Sequence, residues 1–311
     1  GSATVMHEPE WRRKLRELAK GKVLFDECMD RHTSIGVGGP ADALAFPESA
    51  AELGRLVAFL RAEGIPVFFM GNGTNLIVRD GGYRGVMVST KALRAVRVED
   101  RGESRAALHA EAGASLAEVV ALTAREGLAG MEFCAGIPGS VGGGIRMNAG
   151  AWGSEMKDVL ESVDWLNGGG NRVSRPRPAL HFEYRSLALP EGACILGGVF
   201  DLARGDRVAI EGRIREILKT RSGRHPLQYR SAGSIFKNPK GTPAGRIIDE
   251  AGLKGLTLGG ARVSEMHGNF IVNLGGAAAR DIIGLIERVR KTVREKRGID
   301  LEPEVQIIGE E

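Results

Sequence analysis

Apolar positions along the chain recur in two rhythms, every three to four residues and every second residue, and glycine-rich breaks separate them. A charged helical pattern opens the chain at residues 11–20. Ser49 and Glu52, just after Pro47, have the S-x-x-E spacing of a capping box; Leu53, Leu56, Val57 and Leu60 follow at helical spacing and Gly64 closes the helix. The same arrangement returns with Ser115 and Glu118, then Leu116, Val119, Val120 and Leu122, then Gly127. Residues 206–221 predict an amphipathic helix with Val208, Ile214, Ile217 and Leu218 on its apolar face. Two more helices are predicted: one from Pro243 to Ala251, stopped by Gly252, and one over 278–297 carrying Ile283, Ile286, Val289 and Val293.

Between these helices lie short strand-like runs. IPVFFM at 65–70 completes a βαβ-like opening unit, and GVMVST, ALRAVRV, ALHAEAG, DVLESVDWLN and CILGGVFDL predict a mainly antiparallel sheet. SIFKNP, 261–263 and 270–272 predict strands of a separate carboxy-terminal unit. The pattern is that of an α+β protein with three subdomains.

Composition narrows the function. With 311 residues, 42% hydrophobic and 26% charged, the chain suits a globular protein of two or three domains. A formal charge of +4 without an unbroken basic block argues against nucleic acid and suits small polyanions such as diphosphates. Cys28, Cys134 and Cys194 have neither CxxC spacing nor an even count, which predicts free thiols in a reducing cytosol and no metal site. No apolar run approaches the roughly 18 residues that would span a bilayer. The opening HEPEWRRKLRELAKG lacks a signal core, so a cytoplasmic protein without membrane insertion is expected, and Gly1-Ser2 reads as an expression scar.

Candidate chemistry sits in five places. GNGTN (Gly71, Asn72, Gly73, Thr74, Asn75) follows an apolar strand, and its backbone amides can turn toward an anion; a turn without a ligand has the same sequence. GIPGSVGGGIRMNAGAWG at 136–153 packs seven glycines into eighteen positions, a density that fits backbone lying against a flat ring and a pyrophosphate. It lacks the G-x-G-x-x-G spacing of a Rossmann unit. Arg185 in FEYRSL is either a surface residue stacked on Tyr184 or a guanidinium for a carboxylate. In SAGSIFKNP an extended backbone puts Ser234, Phe236 and Asn238 on one face, with Lys237 pointing away or along the cleft. Glu302 and Glu304 of LEPEV would share one strand face, and spacing alone makes that an exposed edge.

In this order, GNGTNLIVRDGG, GIPGSVGGGIRMNAGAWG, FEYRSL, SAGSIFKNP, AGRIIDEAGLKG and VSEMHGNFIVN resemble the UDP-N-acetylenolpyruvoylglucosamine reductases, from HTSIGVGGPAD to LEPEVQIIG. The resemblance implies an FAD-binding fold of the vanillyl-alcohol-oxidase/PCMH type in two subdomains, residues 1–90 and 91–221. A smaller α+β substrate-binding domain covers 222–299, and 300–311 return to the active site. It implies non-covalent FAD held by Gly71 to Asn75 and by Gly136, Ile137, Pro138, Gly139, Ser140, Gly142, Gly143, Asn148, Ala149 and Gly150. NADPH is the implied hydride donor and UDP-N-acetylglucosamine enolpyruvate the substrate, bound with help from Tyr184, Lys237, Asn238, Ala244 and Gly245 by a monomer. Arg185 and Glu304 flank the substrate carboxylate and Ser234 matches the proton donor. The segment after FEYRSL is compact, as in the shorter class of the family that lacks an inserted Tyr-bearing lid loop. The chain departs from the pattern at Gly36, where many relatives carry a basic residue, and at Met266 and Gly268, which replace Lys and Ala.

Two alternatives make other demands. An oxidase of small alcohols or sugars with covalent flavin would need His32 as its attachment point. A nucleotide-sugar-binding protein without flavin would keep the substrate loops alone.

Overall fold

The computed structural model describes residues 7–311, so the reading of Gly1 and Ser2 falls outside the described residues. Helix α1 (Glu10–Leu18) precedes strand β1 (Lys22–Cys28), a strand that the hydrophobic pattern did not reveal. Strand β2 (Pro40–Phe46), helix α2 (Ala50–Ala62), β3 (Val67–Met70), β4 (Leu76–Val78) and β5 (Tyr83–Ser89) follow. A sheet of order β1-β2-β5-β3 forms, in which β5 runs parallel to both β2 and β3. GVMVST therefore lies in a parallel pairing rather than the antiparallel sheet expected. Its consecutive buried residues Val86, Met87 and Val88 are the unbroken apolar run of a strand covered on both faces.

Ser49 caps α2 by accepting from Glu52 N at 3.1 Å, as the spacing predicts. The carboxylate of Glu52 does not return the bond to Ser49. Buried, it accepts at 3.0 Å each from the backbone N–H of Glu48, Lys20 and Gly21, and so ties the start of β1 to the helix. This arrangement satisfies three donors where a reciprocal box would satisfy one.

A second sheet is antiparallel throughout. Strands β6 (Val96–Asp100), β7 (Arg105–Glu111), β8 (Leu160–Leu166), β9 (Arg172–Pro176) and β10 (Cys194–Arg204) adopt the order β9-β8-β10-β7-β6. Helix α3 (Leu116–Arg125), capped by Ser115, and the short α4 (Val141–Arg146), capped by Ser140, pack beside it. Helix α5 (Arg207–Arg224) buries Ile210 and Ile217, with Ile214 packed alongside. The apolar face assigned from spacing was off by part of a turn. Val208 is 71% and Leu218 44% exposed, because the i, i+4, i+7 row that meets the core starts at Ile210.

The carboxy-terminal unit joins β11 (Arg230–Ser231), helix α6 (Ala244–Glu250), β12 (Thr257–Leu258), β13 (Ala261–Val263), β14 (Ile271–Asn273) and α7 (Ala279–Arg297). Helix α7 buries Ile282, Leu285, Ile286, Val289 and Val293, each contributing roughly 1.5–3 kcal/mol of transfer free energy. Its N-terminal amides are satisfied from far away in sequence: Asp80 accepts from Ala279 N at 2.8 Å and from Arg280 N at 3.0 Å. SIFKNP is extended but forms no strand. It makes one bridge, Phe236 to Pro303, and Pro303 has no N–H with which to lengthen the ladder. Strand β15 (Gln306–Ile308) then pairs in parallel with β4, returning the chain to the loop 71–75.

Candidate active site

These connections bring four distant segments to one cavity of about 860 Å³, within the range of cofactor and substrate sites. One part of its wall is backbone. Loop 71–75 leaves β3, and loop 136–140 leads into α4; Gly71 to Asn75 all line the cavity, as do Gly136, Ile137, Pro138, Gly139, Ser140, Gly142 and Gly143. The two loops touch. At Gly139, φ is +117°, and an added Cβ would lie 2.8 Å from Thr74 Oγ1, so only glycine lets the loops close together. Gly139 O accepts from Leu116 N at 3.0 Å, which anchors the second loop on α3.

The fit of this wall to a dinucleotide rests on its unspent donors. Among the described residues, no backbone acceptor takes the N–H groups of Asn72, Gly73, Thr74 or Asn75. Successive free amides in a loop form a concavity for an anion. Asn72 Oδ1 and Arg221 Nε, both on residues of the same cavity, are buried without a partner. Such atoms cost free energy unless a ligand meets them. Burial also pushes the Arg221 guanidinium below its usual range, which an anionic neighbour would reverse. His225 lines the cavity as a neutral ring: burial, with Arg221 and His267 adding repulsion, lowers its pKa to about 4.

The other part of the wall consists of side chains. Arg185 sits at the tip of the hairpin 182–187 with φ +55°, a left-handed conformation uncommon outside glycine. Its guanidinium donates to Gly150 O at 3.0 Å and lies over the Tyr184 ring at 4.9 Å. It also pairs with Glu304, Nε to Oε1 at 3.2 Å. Arg185 thus stacks on Tyr184 while pairing through one nitrogen with a carboxylate of the chain itself. Burial raises the Glu304 pKa above the usual carboxylate range, and Arg185 and Lys237 pull against that shift without cancelling it.

Glu304 is placed by its neighbours. Its N–H donates to Ile235 O at 2.7 Å, and its carbonyl accepts from Asn75 Nδ2 at 3.0 Å, which joins it to the backbone cradle. The edge expected to be exposed is split in two: the Glu302 side chain is 71% exposed and pairs with Lys237 at 3.1 Å, whereas that of Glu304 is 13% exposed. Ser234, Lys237, Ala149 and Gly150 complete the wall.

Several residues expected to bind ligand carry structural tasks. Asn148 is fully buried, and its side chain accepts from Lys157 N at 3.1 Å and donates to Glu183 O at 3.0 Å, so it fastens the glycine loop to the Arg185 hairpin. Asn238 lies off the wall, its Oδ1 accepting from Ala244 N at 2.9 Å and capping α6. Ala244 is fully buried in that first turn, and Gly245 is packed so closely on His267 that a Cβ would come within 2.7 Å of the ring. Tyr184 is half exposed and its hydroxyl accepts from Asn238 N at 3.3 Å. Lys237, expected to point away or along the cleft, lines the cavity, while Phe236 takes a core position. His32, on which a covalent flavin would depend, contacts Glu27 at 3.0 Å and lines a small adjoining pocket of about 160 Å³ that shares Gly71 and Asn72 with the main cavity. Sequence reading missed Arg221, His225 and Arg230, which line the main cavity; Arg221 had the basic run at the end of α5 as a local signal, and the other two had none.

Comparison with known proteins adds a second line. Residues 225–308 match the family model for the C-terminal domain of UDP-N-acetylenolpyruvoylglucosamine reductase, and residues 41–174 match that of an FAD binding domain. The chain is 52% identical over 307 residues to the UDP-N-acetylenolpyruvoylglucosamine reductase of Syntrophus aciditrophicus, covering 99% of this chain and 98% of that protein. The same-named protein of Caldanaerobacter subterraneus is 47% identical, over 96% of this chain and 97% of its own length. Among solved structures, the UDP-N-acetylenolpyruvylglucosamine reductase of Thermus caldophilus superposes with a TM-score of 0.77 at 36% identity, covering 93% of this chain and 98% of that one.

Proposed function

The chain belongs to the UDP-N-acetylenolpyruvoylglucosamine reductase family, and from that premise we propose how its own residues carry out the reaction. It is a flavin-dependent oxidoreductase of peptidoglycan precursor synthesis, reducing UDP-N-acetylglucosamine enolpyruvate to UDP-N-acetylmuramate with FAD as cofactor and NADPH as hydride donor. When bound, FAD supplies hydride transfer, from NADPH in one half-reaction and to C3 of the enolpyruvyl vinyl group in the other. The free amides of residues 72–75 and the backbone of 136–143 would hold it, and Asn72 and Arg221 would gain partners on it.

The remaining roles fall to side chains. As hydride reaches C3, negative charge spreads into the substrate carboxylate, and fixed donors placed there lower the barrier most. Arg185 supplies the cation, held in place by Gly150 O and the Tyr184 ring. Glu304, whose burial favours the neutral acid, donates a hydrogen bond to the same carboxylate. Ser234 gives the proton to C2, and Lys237 binds substrate beside it. The observation that carries this reading is the meeting of the Arg185–Glu304 pair with Ser234 on the wall of a cavity whose other wall is a cradle of unspent amides.

The proposal includes division of the chain at residues 90, 221 and 299, with 300–311 returning to the site. A hydrophobic cluster of residues 106–217 supports the middle unit, and a second cluster gathers residues 232–305 together with Ile35, Val37 and Ile77. The proposal also includes a cytoplasmic monomer. Among the described residues no helix is long and apolar enough to cross a membrane. Sedimentation velocity would check the monomer.

The decisive experiment is an anaerobic spectrum of the holoenzyme, to which NADPH and then UDP-N-acetylglucosamine enolpyruvate are added. Bleaching by NADPH and recovery with substrate is expected. Bleaching without recovery would overturn the substrate assignment, and no flavin bands after added FAD would overturn the cofactor.

A further inference from the structure

Arg230 begins the short strand leading to Ser234, yet its guanidinium reaches back to the loop between β1 and β2. Nη2 donates to Thr33 O at 2.8 Å and Nε to Ser34 O at 3.2 Å, with Asp30 O at 3.5 Å from Nη2. Its acceptors are main-chain carbonyls of one loop, gripped by a planar fork of donors. Two more bonds reinforce the join: Ser34 Oγ donates to Ser231 O at 2.7 Å, and Asn273 Nδ2, from the strand paired with 230–231, donates to Ile35 O at 2.8 Å. On its other side the same loop holds the cofactor cradle, since Ser34 N donates to Gly73 O at 2.9 Å. Residues 30–36 are thus one bridge between loop 71–75 and the segment that carries Ser234.

Gly36 makes room for this grip. Its φ is +73°, and an added Cβ would lie 2.6 Å from Arg230 Cζ and Nη1. A Cβ at position 36 would force the guanidinium to shift from this seat.

We propose that Arg230 is a positioning residue for the substrate half-reaction: through residues 30–36 it sets the placement of Ser234 relative to the cofactor cradle. The inference rests on Ser234 being the proton donor. A donor displaced by about 1 Å loses on the order of 10²-fold in rate, so a small slackening of this bridge is kinetically visible.

The test uses FAD-loaded Arg230→Met and Gly36→Ala enzymes, with Ser234→Ala as reference, in anaerobic stopped flow. Gly36→Ala retains Arg230 but removes its seat, so the two variants probe the same bonds by different means. Both should slow flavin reoxidation by UDP-N-acetylglucosamine enolpyruvate by about 10- to 100-fold. Reduction by NADPH should slow by a clearly smaller factor, and the solvent deuterium isotope effect on reoxidation should grow as proton delivery becomes limiting. Equal slowing of both half-reactions, loss of FAD, or unchanged reoxidation in both variants would overturn the positioning role. Should Ser234→Ala itself reoxidise at the normal rate, the proton-donor reading falls, a result separable from the other outcomes because it does not depend on Arg230.

Discussion

The two walls of the cavity are made differently. The cradle at 71–75 and 136–143 is backbone, brought together because glycines let two loops touch, and its function is stored in the unspent amides of residues 72–75. The facing group is made of side chains, Arg185 from a hairpin tip, Ser234 and Lys237 from an irregular extended segment, and Glu304 from the returning tail. A backbone site tolerates substitution of most side chains but not of the glycines that shape it. A side-chain site tolerates changes in the chain around it but not in the few groups that touch the reacting atoms. The contrast predicts that damage to the two walls separates kinetically.

The largest effect should come from the side-chain wall. Ser234→Ala is expected to slow reoxidation of reduced enzyme by substrate by roughly 10²-fold or more, about 2.7 kcal/mol, the scale of a positioned proton donor. Flavin reduction by NADPH should be nearly intact. Stopped-flow absorbance resolves the two phases, and an equal fall in both would erase the proposed division of labour between the walls.

Damage to the cradle should appear in cofactor affinity. Gly139→Ala forces an L-residue to φ +117° and pushes its methyl against Thr74 Oγ1. Such strain costs about 1–3 kcal/mol, which taken from binding is about 5- to 150-fold in the FAD dissociation constant. Fluorescence titration of the apoenzyme measures it. Unchanged FAD affinity would mean that the contact of the two loops does not shape the cofactor site.

A smaller change tests the boundary between the walls. Asn238→Ala removes the cap of α6 and should cost about 1 kcal/mol of stability. A rise in substrate KM without a lower melting temperature would return Asn238 to the ligand-binding residues.

Legibility in the sequence follows the same contrast. The glycine density of 136–153 announced a backbone site because nothing else requires seven glycines in eighteen positions, and the Ser49 and Ser115 caps announced their helices because the capping bond spans three residues. Local sequence left Arg185 undecided and favoured the bland reading for Glu304, since each takes a partner more than a hundred residues away. Their roles became readable only through family resemblance. Asn148 and Asn238 make fastening bonds that the sequence does not mark, because a polar residue in a glycine-rich or extended stretch carries no local sign of the partner it will take. The N-terminal acceptor of α7, Asp80, was invisible for the same reason, as was the bridge from Arg230 to residues 30–34.

The finest test concerns the protonation of Glu304. Burial outweighs the pull of Arg185 and Lys237, so the folded carboxyl keeps its proton to a higher pH than it would in the unfolded chain. Between the ordinary value and the raised one the native state therefore binds more protons than the unfolded state. Stability is greatest below that window and declines as pH rises through it. If the neutral acid donates to the substrate carboxylate, reoxidation must fall across the same raised pKa. Glu304→Gln keeps a donor but cannot ionise, so it should lower the rate at acidic pH and flatten the profile above it. Reoxidation rates of both enzymes across pH decide the matter: an inflection that survives unchanged in the Gln variant belongs to another group, and Glu304 would then act as the anion that orients Arg185.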